Sequence, residues 1–462
     1  MSDTATAMSN KNAGDDQPPA KQAKVTAAPA NDANDAAMPD IRVAIVGVGN
    51  CAKSLVEGVQ YYVENPHDQV GLMYPDIGGY TAKHLKFVVG FDIDERKCGR
   101  SLAEALRAKP NCAMDHVPEI TETSVPAAAR VHRGPTLDGI APHMTQYPVD
   151  TTFKESGDKP VTLDEATEIL QREKVDVVIN YLPVGSHEAS AFYVDAAVRA
   201  RCHFVNCIPT FISTKEAKAL EQRFIDAGLT IVGSDMRSAW GASRVSEVLQ
   251  GAMLDSGLMV TQHIQMNMAA GTTQGHETQR TGRTANTDFL NMAKQDRLHS
   301  KHVSKENVLK GQNVVRDTST AGMTLFAGPS LTVQQKPGGT YLGSDNKVAN
   351  FDIVAYGFGG ARYELTARLS VQDSPNSGGV VVSAIRFCKV AAELGIVGFL
   401  RGASAWTQKT PPLQMRTGDA KFECDALSRR QLTDLTRAQL KENTPVADTL
   451  PYTFQSDTLD YE

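Results

Sequence analysis

Runs of β-branched and aromatic residues alternate with helically spaced apolar positions through the first half of the chain. Ile41-Arg42-Val43-Ala44-Ile45-Val46 reads as a buried strand. Residues 53–63 follow with Leu55, Val56 and Val59 on one helical face. An excursion containing Pro75, Gly78 and Gly79 separates that helix from a second strand, Phe87-Val88-Val89-Gly90-Phe91-Asp92. Helical spacing over 163–173, 187–201 and 215–227 then alternates with strand-like runs at 174–183, 203–207 and 229–233. This alternation predicts an α/β fold on a doubly wound, Rossmann-type parallel sheet. Ligands of such sheets bind beyond the carboxyl ends of the strands, which makes Asn180, Asn206 and Asp235 candidate site residues.

From about residue 245 the pattern changes. A helix over 244–255 leads into Val260-Thr261-Gln262-His263-Ile264-Gln265-Met266-Asn267, whose period of two suits a half-buried strand. A polar loop (269–285), a helical pattern starting at 288–292, and strands at 351–357 and 363–371 predict an antiparallel sheet with helices. A helix over 380–394 is expected to pack back on the first domain, and Leu427, Leu432, Leu435 and Leu440 suit a terminal amphipathic helix. Residues 1–40 lack apolar periodicity and are expected to be a disordered tail, as 444–462 are a polar one. The expected organisation is a nucleotide-binding domain over 41–245, an inserted α+β domain over 246–372 and a return to the first domain over 373–443.

Composition narrows the class. The 462 residues are 41% hydrophobic and 22% charged, as in ordinary soluble proteins, and a net charge of -6 leaves no electrostatic footprint for nucleic acid or an anionic membrane. No apolar run reaches spanning length. Seven scattered cysteines without a Cys-x-x-Cys point to a reducing, cytoplasmic compartment and away from a disulfide framework. His276-Glu277 and Cys202/His203/Cys207 lack ligand spacing, so no metal site is expected. No Gly-x-Ser-x-Gly elbow is present for hydrolase chemistry.

The chemistry begins where the first strand ends in Gly47-Val48-Gly49-Asn50-Cys51-Ala52. Gly47 permits a tight turn, Gly49 a close approach of the backbone to a pyrophosphate, and Ala52 tight helix–strand packing. The helix that follows aims its amides at the phosphates. Asp92, ending the second strand, is placed to meet ribose hydroxyls, which favours NAD over NADP. Its spacing from Gly47 exceeds the usual ~20 residues, so the excursion is an insertion in the first βαβ unit.

Five segments taken in order carry a resemblance. Val43 to Ala52, Arg133-Gly134-Pro135-Thr136-Leu137-Asp138-Gly139, Tyr181-Leu182-Pro183-Val184-Gly185-Ser186, Asp373-Ser374-Pro375-Asn376-Ser377 and Lys409-Thr410-Pro411-Pro412 together resemble myo-inositol-1-phosphate synthase of the actinobacterial type. The resemblance runs over roughly residues 41–412. It implies a homotetrameric, cytosolic, NAD-dependent isomerase that cyclises glucose 6-phosphate by oxidation at C5, enolisation, aldol closure of C6 onto C1 and re-reduction. Family lysines map onto Lys301, Lys305 and Lys409, and less firmly Lys347; which of Lys301 and Lys305 does chemistry and which binds phosphate stays open. The motif match also puts Arg237 at a catalytic lysine position, and Asp235 is taken with it into the catalytic set; the cofactor set, from the glycine loop, the strand ends and the matched segments, is Gly47, Gly49, Asn50, Cys51, Ala52, Asp92, Asn180, Asn206 and Asp373.

Four departures fall in the half expected to meet the sugar phosphate. Gly233-Ser234-Asp235-Met236-Arg237-Ser238 stands where the family reads Gly-Asp-Asp-hydrophobic-Lys-Ser, so an arginine, which cannot act as a base, holds a lysine position. Ala285-Asn286-Thr287-Asp288 replaces Gly-Asn-x-Asp, Gly328-Pro329-Ser330-Leu331 replaces Gly-Pro-Ser-Asp, and Val354-Ala355-Tyr356 stands for Glu-Gly-Arg. Two alternatives therefore accompany the synthase reading. One is a diverged NAD-dependent sugar-phosphate oxidoreductase or isomerase with another product; the other is a non-catalytic NAD-binding homologue.

Overall fold

β1 (Ile41–Val46) lies inside a sheet because both of its faces are apolar. Ile41, Val43 and Ile45 enter one core layer, and Ala44 and Val46 the other. The structure is a computed structural model that describes residues 38–140, 153–210, 217–269, 304, 308, 321–326 and 345–432. The tails outside 38–432, the polar loop beyond 269, the helical pattern at 288–292, Leu435 and Leu440 lie outside the described residues.

Around β1 stand β2 (Leu85–Asp92), β3 (Arg130–Arg133), β4 (Val177–Asn180), β5 (His203–Asn206), β6 (Thr230–Val232) and, from far along the chain, β11 (Gly398–Phe399). They form one parallel sheet in the order β11-β6-β5-β4-β1-β2-β3. The order reverses between β1 and β4, the switch point at which doubly wound sheets open a crevice. One face is covered by α1 (Asn50–Glu64), α2 (Leu102–Arg107) and α7 (Asp373–Glu393), through residues such as Leu55, Val59, Leu102, Val381 and Ile385. The other is covered by α3 (Leu163–Arg172), α4 (His187–Ala200) and α5 (Ala217–Asp226), through Ile169, Tyr193, Val194 and Phe224. The predicted strands and helices of the first half are thus present, within a few residues. The pattern missed α2 and the edge strand β3, although Ser101 and Glu104 form a capping box at the start of α2.

After α6 (Ala242–Asp255) comes a second sheet, β10 (Arg362–Gln372), β9 (Asn346–Tyr356), β7 (Met259–Ala269) and β8 (Ala321–Phe326), in that order. It is mixed, not antiparallel as expected: β9 runs antiparallel to both neighbours, but β8 runs parallel to β7. The long stretch of chain between Ala269 and Ala321 allows the crossover that a parallel pair needs. Met253 of α6 packs on Val260, Ile353 and Ala355 of this sheet. A polar seam lies beside that contact, with Ser246 and Gln250 on the two ring nitrogens of His263 (3.2 and 2.5 Å). Burial lowers the His263 pKa to about 4, so the ring is neutral there.

α7 starts at Asp373, seven residues before the predicted 380. Apolar periodicity begins only at Val380, whereas Asp373 suits the positive helix end and Pro375 sits in the first turn, where a missing N–H costs nothing. The expected terminal helix divides: Leu427 belongs to α9 (Thr417–Ser428), which ends before the buried Leu432. Between α7 and α9 lie β11 and the short α8 (Arg401–Thr407).

α7 also holds down the excursion over 65–84. The fully buried Arg386 donates to the carbonyls of Tyr74 (2.7 Å), Pro75 (3.0 Å) and Tyr80 (3.0 Å), and to Val382 of its own helix (2.9 Å). Removing this side chain orphans several buried carbonyls at once. Arg386→Met is therefore expected to lower unfolding stability by about 3 kcal/mol or more, read as a lower urea midpoint.

Candidate active site

Beyond the carboxyl ends of the strands two cavities share a wall. Gly49, Tyr181, Leu182 and Pro183 line both. The first is a cleft with about 1130 Å³ between its walls, its solvent-open part included, and takes in Cys51, Asp235, Lys347, Asp373 and Lys409. The second takes in Gly47, Phe91, Asp92, Lys97 and Tyr193. Together they run along the crevice from β2, over the glycine loop, to β6 and the second sheet.

The glycine loop is shaped for close approach. Gly47 has a φ of +88°, and a Cβ there would stand 2.7 Å from the Tyr181 carbonyl oxygen at the end of β4. A Cβ on Gly49 would meet nothing within 4 Å, because it projects into open space. α1 begins there without a side-chain cap and without an acid in its first turn, leaving its positive end for an anion. Asp92 accepts from the amides of Val48 (2.8 Å), Ile93 (2.8 Å) and Asp94 (3.0 Å), with Lys97 Nζ at 3.6 Å. The acid that lines the second cavity thus also fixes the loop. Lys97 ties the two together by donating to the Val48 carbonyl (2.7 Å).

The remaining candidates of the cofactor set separate into lining and supporting groups. Cys51 and Asp373 line the first cavity. Asn50 also lines the first cavity while its side-chain oxygen accepts from the amides of Cys112 (2.6 Å) and Ala113 (2.9 Å), and Ala52 is buried in the core. Asn180 and Asn206 line neither cavity and are fully buried. Asn180 Nδ2 donates to Asn206 Oδ1 (3.0 Å), and Asn206 Nδ2 to Ser234 Oγ (3.1 Å). This amide chain joins the ends of β4, β5 and β6, and it gives Ser234, where the family has an acid, a supporting place.

At the far end of the cleft, Lys409 and Asp235 come together from distant segments. Lys409 Nζ donates to Asp235 Oδ1 (2.9 Å) and to the Met236 carbonyl (2.6 Å). The backbones pair as well: Ser234 N donates to Thr410 O (2.8 Å), Thr410 N to Ser234 O (3.0 Å) and Lys409 N to Asp235 O (2.7 Å). Asp235 is held in the left-handed region (φ 61°), which is rare outside glycine and found at functional sites. Ser304 adds its hydroxyl to Asp235 Oδ2 (2.5 Å). Lys301 and Lys305, which flank Ser304 in sequence, lie outside the described residues.

A second lysine–aspartate pair, Lys347 with Asp373, lines the same cleft. Arg237 does not line it. Its guanidinium bonds Glu247 of α6 and the Gln408 carbonyl (2.6 Å). Of the departures, Val354-Ala355-Tyr356 sits in β9 and lines neither cavity, and the other two beyond Arg237 lie outside the described residues.

Sequence reading missed three parts of the site. The first is the start of α6, where Gly241, Ala242 and Ser243 line the cleft and the helix has neither side-chain cap nor first-turn acid. A Gly-Ala-Ser opening a helix after a strand was the available signal. The second is Asn376, whose side chain accepts from Trp240 N (2.9 Å) and donates to Trp240 O (2.8 Å), pinning the loop before α6 to the first turn of α7. The third is Asp345, which accepts from Ser374 Oγ (2.8 Å) and Ser374 N (3.2 Å) behind the Lys347–Asp373 pair.

The described residues fit NAD. An uncapped helix start and an open Gly49 stand at the shared wall, an acid stands at the end of β2, and the buried Tyr181 hydroxyl beside them has no hydrogen-bond partner among the described residues.

Burial, and then the neighbouring Asp373, raise the Asp345 pKa to about 7. An acid whose folded pKa lies above its unfolded value costs stability as pH rises from the unfolded to the folded value. Asp345→Asn is therefore expected to raise Tm over the native protein by an amount that grows between about pH 4 and 7 and then levels. A Tm difference independent of pH would contradict the assignment.

Known proteins are similar to this chain over most of its length. The family described as Myo-inositol-1-phosphate synthase matches residues 241–374. An inositol-3-phosphate synthase of Corynebacterium glutamicum is 37% identical over 392 residues, covering 84% of this chain and 97% of that protein. One of Mycobacterium tuberculosis is 37% identical over 408 residues, covering 88% and 96%. The solved structure of a myo-inositol-1-phosphate synthase-related protein from Thermotoga maritima shares the fold, with a TM-score of 0.63 at 20% identity over 84% of this chain and 98% of that one. With the cleft, the glycine loop and identity of this extent along nearly the whole of both relatives, the chain belongs to the myo-inositol-1-phosphate synthase family.

Proposed function

We propose that this protein is an NAD-dependent isomerase that cyclises D-glucose 6-phosphate to 1D-myo-inositol 3-phosphate, with Lys409 and Asp235 at the reacting end of the cleft. The observation that carries the reading is the first cavity itself. It joins a dinucleotide loop to two lysine–aspartate pairs and an uncapped helix start. Bound NAD would supply the reversible hydride transfer at C5 of the sugar. Asp92 in the second cavity would hold the ribose of its adenosine end and the start of α1 its pyrophosphate.

The chain's own residues do the rest. The α6 start, with Ser238 and Gly241 to Ser243, seats the sugar phosphate, because the first amides of a helix and its dipole favour an anion there. A ketone at C5 acidifies the C6 proton, and its loss leaves an enolate whose charge needs a nearby cation. Lys409, only 9% exposed and oriented by Asp235 and the Met236 carbonyl, supplies that cation in a site with little water to screen it. It then stabilises the alkoxide formed when C6 closes onto C1. Lys347, paired with Asp373, supplies a second cation toward the cofactor side. Lys301 and Lys305 join this set by their place in the family motif.

The reading extends to a homotetramer in the cytoplasm, serving inositol and phospholipid biosynthesis. The 246–372 region carries its catalytic and subunit contacts, and the 373–443 return completes the 41–245 nucleotide domain. Large apolar groups left exposed on and beside the second sheet, Met259, Tyr356, Phe358 and Tyr363, support the subunit role.

Glucose 6-phosphate and NAD+ added to the purified protein should yield an inositol phosphate resonance in the 31P spectrum with no net NADH absorbance. An open-chain product or accumulating NADH would favour the diverged oxidoreductase instead. Lys409→Ala should reduce turnover by about 100-fold or more while NAD affinity stays within a small factor. Normal turnover in that variant would remove Lys409 from the mechanism.

A further inference from the structure

Arg237 occupies a lysine position of the family motif, yet its side chain leaves the cleft. Arg237 is 3% exposed, and its guanidinium is held by two groups. Nε donates to the Gln408 carbonyl (2.6 Å) and Nη1 to Glu247 Oε1. The other Glu247 oxygen accepts from Arg244 (3.2 Å), whose guanidinium lies 4.1 Å from the centre of the Trp406 ring. The backbone repeats the connection, since Arg237 N donates to Thr407 O (2.8 Å).

Two of the partners, the carbonyls of Gln408 and Thr407, lie directly before Lys409 in the chain. Gln408 precedes Lys409 and Thr407 precedes Gln408, while Asp235 lies two residues before Arg237. A two-armed, rigid guanidinium can bind a carbonyl and a carboxylate together, which a single ammonium does less well. We infer that Arg237, with Glu247 as its counter-charge, is a positioning residue that sets the geometry of Lys409, and that it makes no contact with the sugar phosphate. This inference rests on the proposed role of Lys409. The lysine-to-arginine change then leaves the proton chemistry of the cleft untouched, and its cations are supplied by other side chains.

The test combines kinetics with chemical labelling of the full-length protein loaded with NAD. Arg237→Met and Glu247→Gln should give one shared phenotype: kcat lower by up to about 100-fold, as for a displaced catalytic group, with KM for glucose 6-phosphate unchanged. Acetic anhydride labelling of Lys409, read by mass spectrometry, should run severalfold faster in both variants than in the native protein. Arg237→Lys should restore part of the rate and of the Lys409 protection. A raised KM with kcat preserved in Arg237→Met, and unaltered Lys409 labelling, would overturn the inference and make Arg237 a substrate contact. Should Arg237→Met fail to fold with Glu247 left unbalanced, Glu247→Gln and the double variant Arg237→Met/Glu247→Met decide by the same readouts. If the native protein forms no inositol phosphate, the synthase reading falls, whereas the labelling comparison still decides whether Arg237 positions Lys409.

Discussion

The structure depends on a short backbone pairing between two segments far apart in sequence. Residues 234–237 leave the end of β6 and residues 407–410 return after α8, and four main-chain hydrogen bonds join them. The chain departs from the parallel sheet at this place to build the second sheet, and comes back to it through α7, β11 and α8. Were the pairing lost, Asp235 and Lys409 would separate and the cleft would lose one end. The left-handed backbone at Asp235, the Ser304 hydroxyl and the Arg237 guanidinium all converge on it. A lysine held within 2.9 Å of a buried carboxylate is oriented before any ligand arrives, which is what electrostatic catalysis in a dry site requires.

Much of this was legible in the sequence, for identifiable reasons. Buried parallel strands are continuous apolar runs, and β1, β2, β4 and β6 declare themselves by β-branched residues on both faces. The glycine loop was equally clear, because Gly47 must tolerate both a positive φ and a carbonyl at contact distance. What periodicity could not reveal was direction or partner. The β7–β8 pairing is parallel, and the residue pattern within 321–326 does not specify that direction. The start of α7 was hidden because its first turn is polar and serves the cleft.

At the level of side chains, the residue types were the right ones but their orientations lay beyond the sequence. Asn180 and Asn206 sit where ligands bind in such sheets, yet each faces the other and braces the strand ends. Arg237 sits one residue from cleft-lining Met236 and Ser238 and points away from both. Alternation along an extended segment decides this, since successive side chains take opposite sides. The acids show the same division of labour. Asp235 and Asp373 hold lysines in the cleft, whereas Asp345 stands behind them on Ser374.

α7 links the cleft to the rest of the molecule. Its first turn, with Asp373 and Ser377, lines the cavity, and its later turns, including Val381, Ile385 and the carbonyl-binding Arg386, are part of the main core. A molecule that binds only the folded form adds its binding energy to the stability of the fold, in proportion to the logarithm of its concentration. Here that energy enters through a helix on which the core is assembled, so occupancy of the cleft and survival of the chain are thermodynamically coupled. In a cell that degrades transiently opened proteins, the standing amount of this protein would then follow the supply of its ligands. Abundance, and not only catalytic rate, becomes a quantity that the cleft controls.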